Sequence, residues 1–135
     1  MTPTLKSIDH IHVFVADRAA STTWYREVLG LTPIAEVEFW AKDGGPLTVS
    51  DADGNVHIAL FESAPIKCRS TIAVGVGAAE FVEWKRHLSE KLNRELRTED
   101  HEVSWSLYFN DPDGNPYEIT TVEYQALAKL LRTDA

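Results

Sequence analysis

The sequence predicts an α+β fold built from two copies of a βαβββ unit. The motif Asp51-Ala52-Asp53-Gly54-Asn55 returns as Asp111-Pro112-Asp113-Gly114-Asn115, and each copy lies between two short β-type runs. Each half of the chain also begins with a strand pattern followed by an amphipathic helix pattern. Two copies of one small unit can face each other across a cleft, and a cleft of this kind is a typical ligand-binding site.

The first half contains one helix and four predicted strands. Polar and apolar residues alternate over residues 8–15, which predicts a strand with His10, His12 and Phe14 on one face. Asp17 is a suitable N-cap and Gly30 a suitable stop for a helix over residues 18–29. The three other strands are predicted at residues 32–40, 46–50 and 56–62, separated by Gly-rich and Asp-rich turns.

The second half repeats this order after a linker at residues 63–69. The same patterns predict a strand, a helix, three strands and a terminal helix, at residues 71–76, 78–92, 96–99, 103–109, 117–122 and 123–131. The expected organisation is one domain spanning residues 1–135, with repeats at 7–62 and 70–122.

The composition narrows the classes of molecule that this protein can bind. The 135 residues carry a formal charge of −8 and are 44% hydrophobic, so they can bury a core but disfavour nucleic acid and anionic membranes. Apolar runs are far shorter than the roughly 18–20 residues of a membrane span, and no signal-peptide pattern occurs. Cys68 is the single cysteine. We expect a cytoplasmic protein that binds a small molecule, neutral or cationic, and neither nucleic acid nor membrane.

Four features together resemble the vicinal oxygen chelate superfamily of glyoxalases, bleomycin-resistance proteins, fosfomycin-resistance transferases and extradiol dioxygenases. They are the strand with Asp9-His10, the helix ending Trp24-Tyr25-Arg26-Glu27-Val28-Leu29-Gly30-Leu31, the Asp111-Pro112-Asp113-Gly114-Asn115 turn, and Glu118 four residues after Gly114. The resemblance covers about residues 7–122. It implies a curved, cup-shaped mixed sheet with the helices outside, a ligand in the cup between the repeats, and a homodimer.

The resemblance also implies a divalent metal ion such as Zn, Ni, Mn or Fe, held at equivalent strand positions of the two repeats. His10 and Glu118 match two of those positions. The other two carry Ile58, four residues after Gly54, and Thr71, where metal-binding relatives have His. Neither residue is a good ligand for a transition metal, so the predicted metal set is incomplete.

Several further residues are candidates for the predicted cleft. His12 is either a third metal ligand or a hydrogen-bonding neighbour, since it shares a strand face with His10. Thr48 and Tyr108 lie on the polar faces of their strands, and Trp40 precedes a Gly-rich loop where an aromatic ring can cover a ligand. Thr71 completes the ligand-binding candidates. The alternation predicts that His57 points away from the cleft, and His87 and His101 are predicted to be surface residues.

Two functions stay open at this point. The first is a binding protein like the bleomycin-resistance members, which holds a small molecule without chemistry. The alternative is a metal-dependent lyase or dioxygenase acting on vicinal oxygens of a small substrate, with His10 as ligand and Glu118 as ligand or catalytic base.

Overall fold

The structure is a computed structural model that describes residues 1–64, 66 and 68–133. The chain divides into two compact units, residues 1–66 and 67–135. Their boundary falls within the segment expected to be the linker, of which Pro65 and Lys67 lie outside the described residues.

In chain order, the elements of the first unit are β1 (Ile11–Val15), α1 (Arg18–Trp24), β2 (Thr32–Pro33), a 3-10 helix (Ala35–Asp43), β3 (Leu47–Ser50) and β4 (His57–Glu62). Helix α1 continues directly into a π-helical turn (Tyr25–Leu29), so the predicted bounds of this helical segment are confirmed. The sheet has the order β1-β4-β3-β2, with β1 parallel to β4 and the other pairs antiparallel.

The elements of the second unit are β5 (Ile72–Gly75), α2 (Ala78–Lys91), β6 (Glu99–Asp100), β7 (Trp105–Asn110), β8 (Pro116–Thr121) and α3 (Tyr124–Thr133). Its sheet has the corresponding order, β5-β8-β7-β6, again with the first and last strands parallel. The predicted α+β class and the two βαβββ units are therefore confirmed, as two four-stranded mixed sheets. None of the helices in the described part of the chain is long and apolar enough to cross a membrane.

The strand predicted at residues 32–40 is wrong beyond Pro33. A 3-10 helix (Ala35–Asp43) follows β2 instead, and it ends at Gly44 in the left-handed conformation with φ 80°. Ile34 and Val37 are three residues apart, and the Val37 N–H donates to the Ile34 carbonyl at 3.2 Å. That spacing matches the three residues per turn of a 3-10 helix. The same apolar residues are also typical of a strand, which is why a strand was predicted there.

Two other strands are shorter or shifted. β1 begins at Ile11 rather than at residue 8, which leaves His10 just before the strand. β6 covers only Glu99–Asp100, whereas residues 96–99 were predicted.

In each unit, one face of the sheet is apolar and buried. In the first unit these strand residues are Val13, Val15, Ile58 and Leu60, and in the second they are Leu107, Phe109, Tyr117 and Ile119. The helices supply buried partners, including Tyr25 and Val28 in one unit and Phe81 and Leu88 in the other. The opposite face of each sheet therefore remains for polar groups and ligands.

The repeated Asp-Gly-Asn motif forms a turn in both units. Asp111, with 5% of its surface exposed, accepts backbone hydrogen bonds from Asp113 and Asn115, both at 2.9 Å, and a side-chain bond from Asn115 Nδ2 at 2.8 Å. The corresponding Asp51 accepts the Val56 N–H at 2.7 Å. The motif is therefore explained by local structure.

We expect three of the four turn aspartates, Asp111, Asp51 and Asp53, to differ in their contribution to stability. Asp111→Ala should lower the free energy of unfolding by about 3 kcal/mol, because it removes the acceptor for three hydrogen bonds in a buried turn. Asp51→Ala, which removes one bond at a less buried site, should cost about 1 kcal/mol. Asp53→Ala is the matched control at an exposed position, with an expected change within about 0.5 kcal/mol. Urea unfolding measures all three, and equal losses would contradict this explanation.

Candidate ligand site

The register of the first sheet decides which residues face away from the helix. In β1 and β4, His12 pairs with Ala59, and in β3 and β4, Thr48 pairs with Ala59. Directly paired residues of neighbouring strands point to the same side of a sheet. His12, Ala59 and Thr48 therefore form one row across the polar face of the first sheet.

This register corrects two sequence-based assignments. Ile58 pairs with Ile11 and is fully buried on the helix face, so it does not occupy the position equivalent to Glu118. Glu118 pairs with Ala73, and its equivalent in the first unit is Ala59. Ala59 is the fifth residue after Gly54, whereas Glu118 is the fourth residue after Gly114.

The same shift places His57 on the polar face, contrary to the prediction that it points away. His57 is two residues before Ala59 in β4, and both residues line a cavity of about 270 Å³ in the first unit. Its polar lining also includes Asp9, His10 and Thr48. The apolar lining comes from Ala59 itself and from Ile34, Val37, Trp40 and Pro46.

Trp40 lines this cavity from the 3-10 helix, with 48% of its surface exposed. It was predicted at the end of a strand, and the structure places it in the 3-10 helix instead. The Arg18 guanidinium holds the end of this helix by donating to the Ala41 carbonyl at 3.0 Å and the Gly45 carbonyl at 2.8 Å. A Cβ atom at Gly45 would collide with the Trp40 carbonyl oxygen, so the close approach requires glycine.

His10 and His12 are brought together at one edge of this site. Their Nε2 atoms are 3.1 Å apart, and the rings stack with centroids 5.0 Å apart. The other ring nitrogen of His10, Nδ1, is 2.7 Å from Asp9 Oδ2. This bond lowers the pKa of the exposed Asp9 carboxyl, because it stabilises the charged carboxylate.

The polar face of the second sheet carries Glu118 and Tyr108, which pair directly across β7 and β8. The Ser106 hydroxyl donates to Glu118 Oε2 at 2.7 Å. The predicted alternation of β7 is therefore found, with Ser106 and Tyr108 opposite the buried Leu107 and Phe109. Thr71 is exposed and directly precedes β5.

Two histidines outside the predicted set lie beside predicted site residues. His57 lines the cavity, as described, and His101 Nε2 is 3.0 Å from the Tyr108 hydroxyl oxygen. The buried alternation of Ile58 and Leu60 could have placed His57 on the polar face. The His101 contact had no comparable signal, because it depends on the shape of the turn between β6 and β7.

The spacing and number of possible donor atoms decide whether a metal ion fits this site. Two nitrogens bound to one zinc ion at about 2.0–2.1 Å and a tetrahedral angle lie roughly 3.3 Å apart. The 3.1 Å between the Nε2 atoms of His10 and His12 is close to that spacing. Among the residues that the structure describes, however, no group of three or more His, Cys, Asp or Glu side chains could hold a metal ion. The imidazole pair fits two positions of a metal site.

Comparison with known proteins shows the family. A family model described as the Glyoxalase/Bleomycin resistance protein/Dioxygenase superfamily matches residues 7–119. Metallothiol transferase FosB from Staphylococcus haemolyticus is 30% identical over 122 residues, which are 87% of this chain and 84% of that protein. The chain belongs to the Glyoxalase/Bleomycin resistance protein/Dioxygenase superfamily.

Solved structures show the same fold at lower identity. The fosfomycin resistance protein FosX from Listeria monocytogenes, complexed with Mn(II) and sulfate, has a TM-score of 0.66 at 18% identity, covering 95% of this chain and 99% of that one. A glyoxalase/dioxygenase from Nostoc punctiforme has a TM-score of 0.65 at 19% identity, covering 90% and 98%. These similarities concern the fold alone. Dimer formation and cellular location therefore stay predictions.

We expect the Asp9 pKa to depend on His10. The pKa should lie below its ordinary value of 3.8, and His10→Ala should raise it, because the hydrogen bond to the carboxylate is lost. The lowered pKa means that any stabilisation from this bond is present above the ordinary pKa and is lost as the pH falls through the lowered one. Carboxyl ¹³C NMR titration measures the change.

His57→Ala is the control for this titration. His57 lowers the pKa of Asp9 through charge alone and is the weakest contributor, so its removal should have a smaller effect than His10→Ala. An Asp9 pKa that does not change in His10→Ala would contradict the described hydrogen bond.

Proposed function

We propose that this protein binds a small molecule in the cavity of its first unit. The observation that carries the proposal is the cavity itself, which combines the imidazoles of His10 and His57 with the apolar wall formed by Trp40 and its 3-10 helix. Ligand sites in proteins typically combine a mostly apolar lining with a few polar groups that fix orientation. The geometry therefore supports small-molecule binding best.

The lining also indicates the class of ligand. A volume of about 270 Å³ is near the lower end of ligand pockets, so it suits a small compound. None of its described lining residues is a lysine or arginine, whereas Asp9 contributes a carboxylate. With a formal charge of −8 on the chain, a neutral or cationic ligand is favoured over an anion. Trp40 offers an aromatic face for an apolar or cationic group.

In the second unit, we propose that Tyr108 and Glu118 contact a ligand on the polar face of the sheet. Tyr108 has 43% of its surface exposed. Glu118 is half-buried beside it and is oriented by the Ser106 hydroxyl.

A metal-assisted enzyme is the second candidate, and one observation favours it. The Asp9 carboxylate binds His10 Nδ1, which leaves Nε2 as the nitrogen that can bind an ion, and carboxylates orient metal-binding histidines in this way in many proteins. His10 and His12 would hold the ion in the first unit, and in the second unit Glu118 stays a proposed metal ligand. When bound, such an ion polarises an oxygen of the substrate. The similarity to a metallothiol transferase supports this candidate.

Filling the cavity should abolish ligand binding. In Ala59→Leu, the larger side chain would occupy space between His57 and Trp40, because Ala59 is buried and lines the cavity. We expect neutral and cationic aromatic fragments to shift the Trp40 indole N–H resonance of the unaltered protein in ¹H–¹⁵N spectra, and to lose this effect in Ala59→Leu.

Ala73→Leu is the matched control, since Ala73 lies in a strand of the second unit, does not line this cavity and is exposed. Its Trp40 shifts should equal those of the unaltered protein. Trp40→Ala provides a second variant, in which fragment shifts at the His57 imidazole should weaken. Fragments that shift Trp40 equally in Ala59→Leu would exclude this cavity as the site.

Isothermal titration with zinc, manganese, nickel and ferrous iron separates binding from metal-assisted catalysis. If the second candidate is correct, one equivalent should bind, His10→Ala should abolish the binding, and Asp9→Asn should weaken it about 10- to 100-fold. His87→Ala is the control on α2, where no change is expected. Failure of every metal to bind would exclude the metal-dependent lyase and dioxygenase functions.

A further inference from the structure

We propose that His101 is a positioning residue that directs the Tyr108 hydroxyl oxygen, as a hydrogen-bond acceptor, toward a donor group of a bound ligand. The proposal rests on the proposed contact of Tyr108 with a ligand, and it adds both a second residue and a chemical class. The ligand group is an ammonium, amine or hydroxyl. His101 acts through Tyr108 and needs no contact with the ligand.

The side chains of His101 and Tyr108 form a close pair. His101 Nε2 and the Tyr108 hydroxyl oxygen are 3.0 Å apart, and the two rings meet edge to face at 76°. A tyrosine hydroxyl has one proton, and a neutral imidazole protonated on Nδ1 accepts it at Nε2. The lone pairs of the phenol oxygen then remain for the ligand, which makes Tyr108 an acceptor.

Hydrogen bonds hold the turn that carries His101. The His101 N–H donates to the Ser104 carbonyl at 2.9 Å, and Asp100 Oδ1 accepts the Glu102 N–H at 2.8 Å. Between them, Glu102 has a φ of 70°, in the left-handed region that non-glycine residues seldom occupy. Such a conformation persists where the surrounding bonds determine it, so the turn fixes the backbone from which the His101 side chain projects.

The turn that carries His101 is itself anchored to α3. The Tyr124 hydroxyl donates to both carboxylate oxygens of Asp100, at 2.8 and 2.9 Å, and this bond raises the pKa of Tyr124. The Tyr124 ring stacks on Trp105 with centroids 5.0 Å apart. Asp100 is therefore held in place from the helix and the strand, and it holds the turn that carries His101.

The polar face around Tyr108 carries negative charge. Tyr108 pairs with Glu118 in the register, and the Glu118 carboxylate accepts from the neutral Ser106 hydroxyl. Glu99 is on the same face, paired with Ser106 in the register, and is bound by the exposed Arg97 at 3.2 Å. The strands β5 to β8 contain no lysine or arginine. Both acceptors on this face, the phenol oxygen and the Glu118 carboxylate, match a donor group and disfavour a phosphonate or carboxylate.

Long-range ¹H–¹⁵N NMR of the imidazoles tests the pair without any ligand. We expect His101 to be protonated on Nδ1, with Nε2 accepting a hydrogen bond. In Tyr108→Phe the Nε2 resonance should shift, because its donor is lost, while His87 on α2 should be unaffected. An unchanged His101 signal in Tyr108→Phe, or a proton on Nε2, would overturn the proposed direction of the bond.

Binding of benzylammonium, compared with benzoate, tests the role toward a ligand. Both carry one phenyl ring, and they differ in the head group. We expect benzylammonium to cause saturable amide shifts at Tyr108 and Glu118, and benzoate to cause weaker ones. Tyr108→Phe and His101→Phe should each weaken benzylammonium binding about two- to tenfold, the typical effect of one lost hydrogen bond.

A double-mutant cycle distinguishes positioning from direct contact. If His101 acts through Tyr108, the double variant should bind benzylammonium no more weakly than Tyr108→Phe alone. His101→Gln should restore part of the affinity, because its amide can still accept from the hydroxyl. Additive losses, or tighter binding of benzoate, would overturn the proposal. Saturable benzylammonium shifts that are unchanged in Tyr108→Phe would instead show that Tyr108 makes no contact with the ligand. If adding His101→Phe to the Tyr108→Phe variant weakens benzylammonium binding further, positioning through Tyr108 is excluded.

Discussion

The parallel pairing of the first and last strand of each unit is the constraint on which the rest of the structure depends. It sets His12 beside Ala59 in one sheet and Ala73 beside Glu118 in the other. Because side chains alternate along a strand, this register decides at once which residues meet the helix and which remain on the polar face. A shift of one residue would bury Glu118 and expose Tyr117.

The apolar faces make such a shift costly. Val13 and Leu60 pair in the first sheet, Leu107 and Ile119 pair in the second, and all four are buried. Truncating a buried residue of this size typically costs about 2–5 kcal/mol, against a total stability of roughly 5–15 kcal/mol for a domain. The register is therefore specified by hydrophobic burial, and the polar faces are free to vary in chemistry. That separation is consistent with a superfamily in which one fold supports several activities.

Most of the fold could be predicted, because its signals are periodic and local. Both long helical segments were located from their apolar spacing, and the two Asp-Gly-Asn turns from their composition. The polar face of β7 with Tyr108 followed from alternation alone. The segment after Pro33 could not be assigned correctly, since a 3-10 helix and an irregular strand present similarly spaced apolar residues over a few positions.

The candidate site was harder to predict because it depends on register between distant strands. Counting from Gly54 pointed to Ile58, whereas the pairing with β1 gives that position to Ala59 and brings His57 to the cavity. A one-residue difference between two loops is invisible in the repeated motif. The contact between His101 and Tyr108 depends on a left-handed Glu102, a conformation that its residue type does not predict.

We propose that ligand recognition uses polar groups that the strand register leaves uncovered, first of all those in the cavity lined by His57 and Trp40. A crystal structure of the protein with its tightest-binding aromatic fragment is the sharpest test. We expect a fragment in contact with the Trp40 ring and within hydrogen-bonding distance of the His57 or His10 imidazole. A fragment bound elsewhere, with no fragment in this cavity, would contradict it.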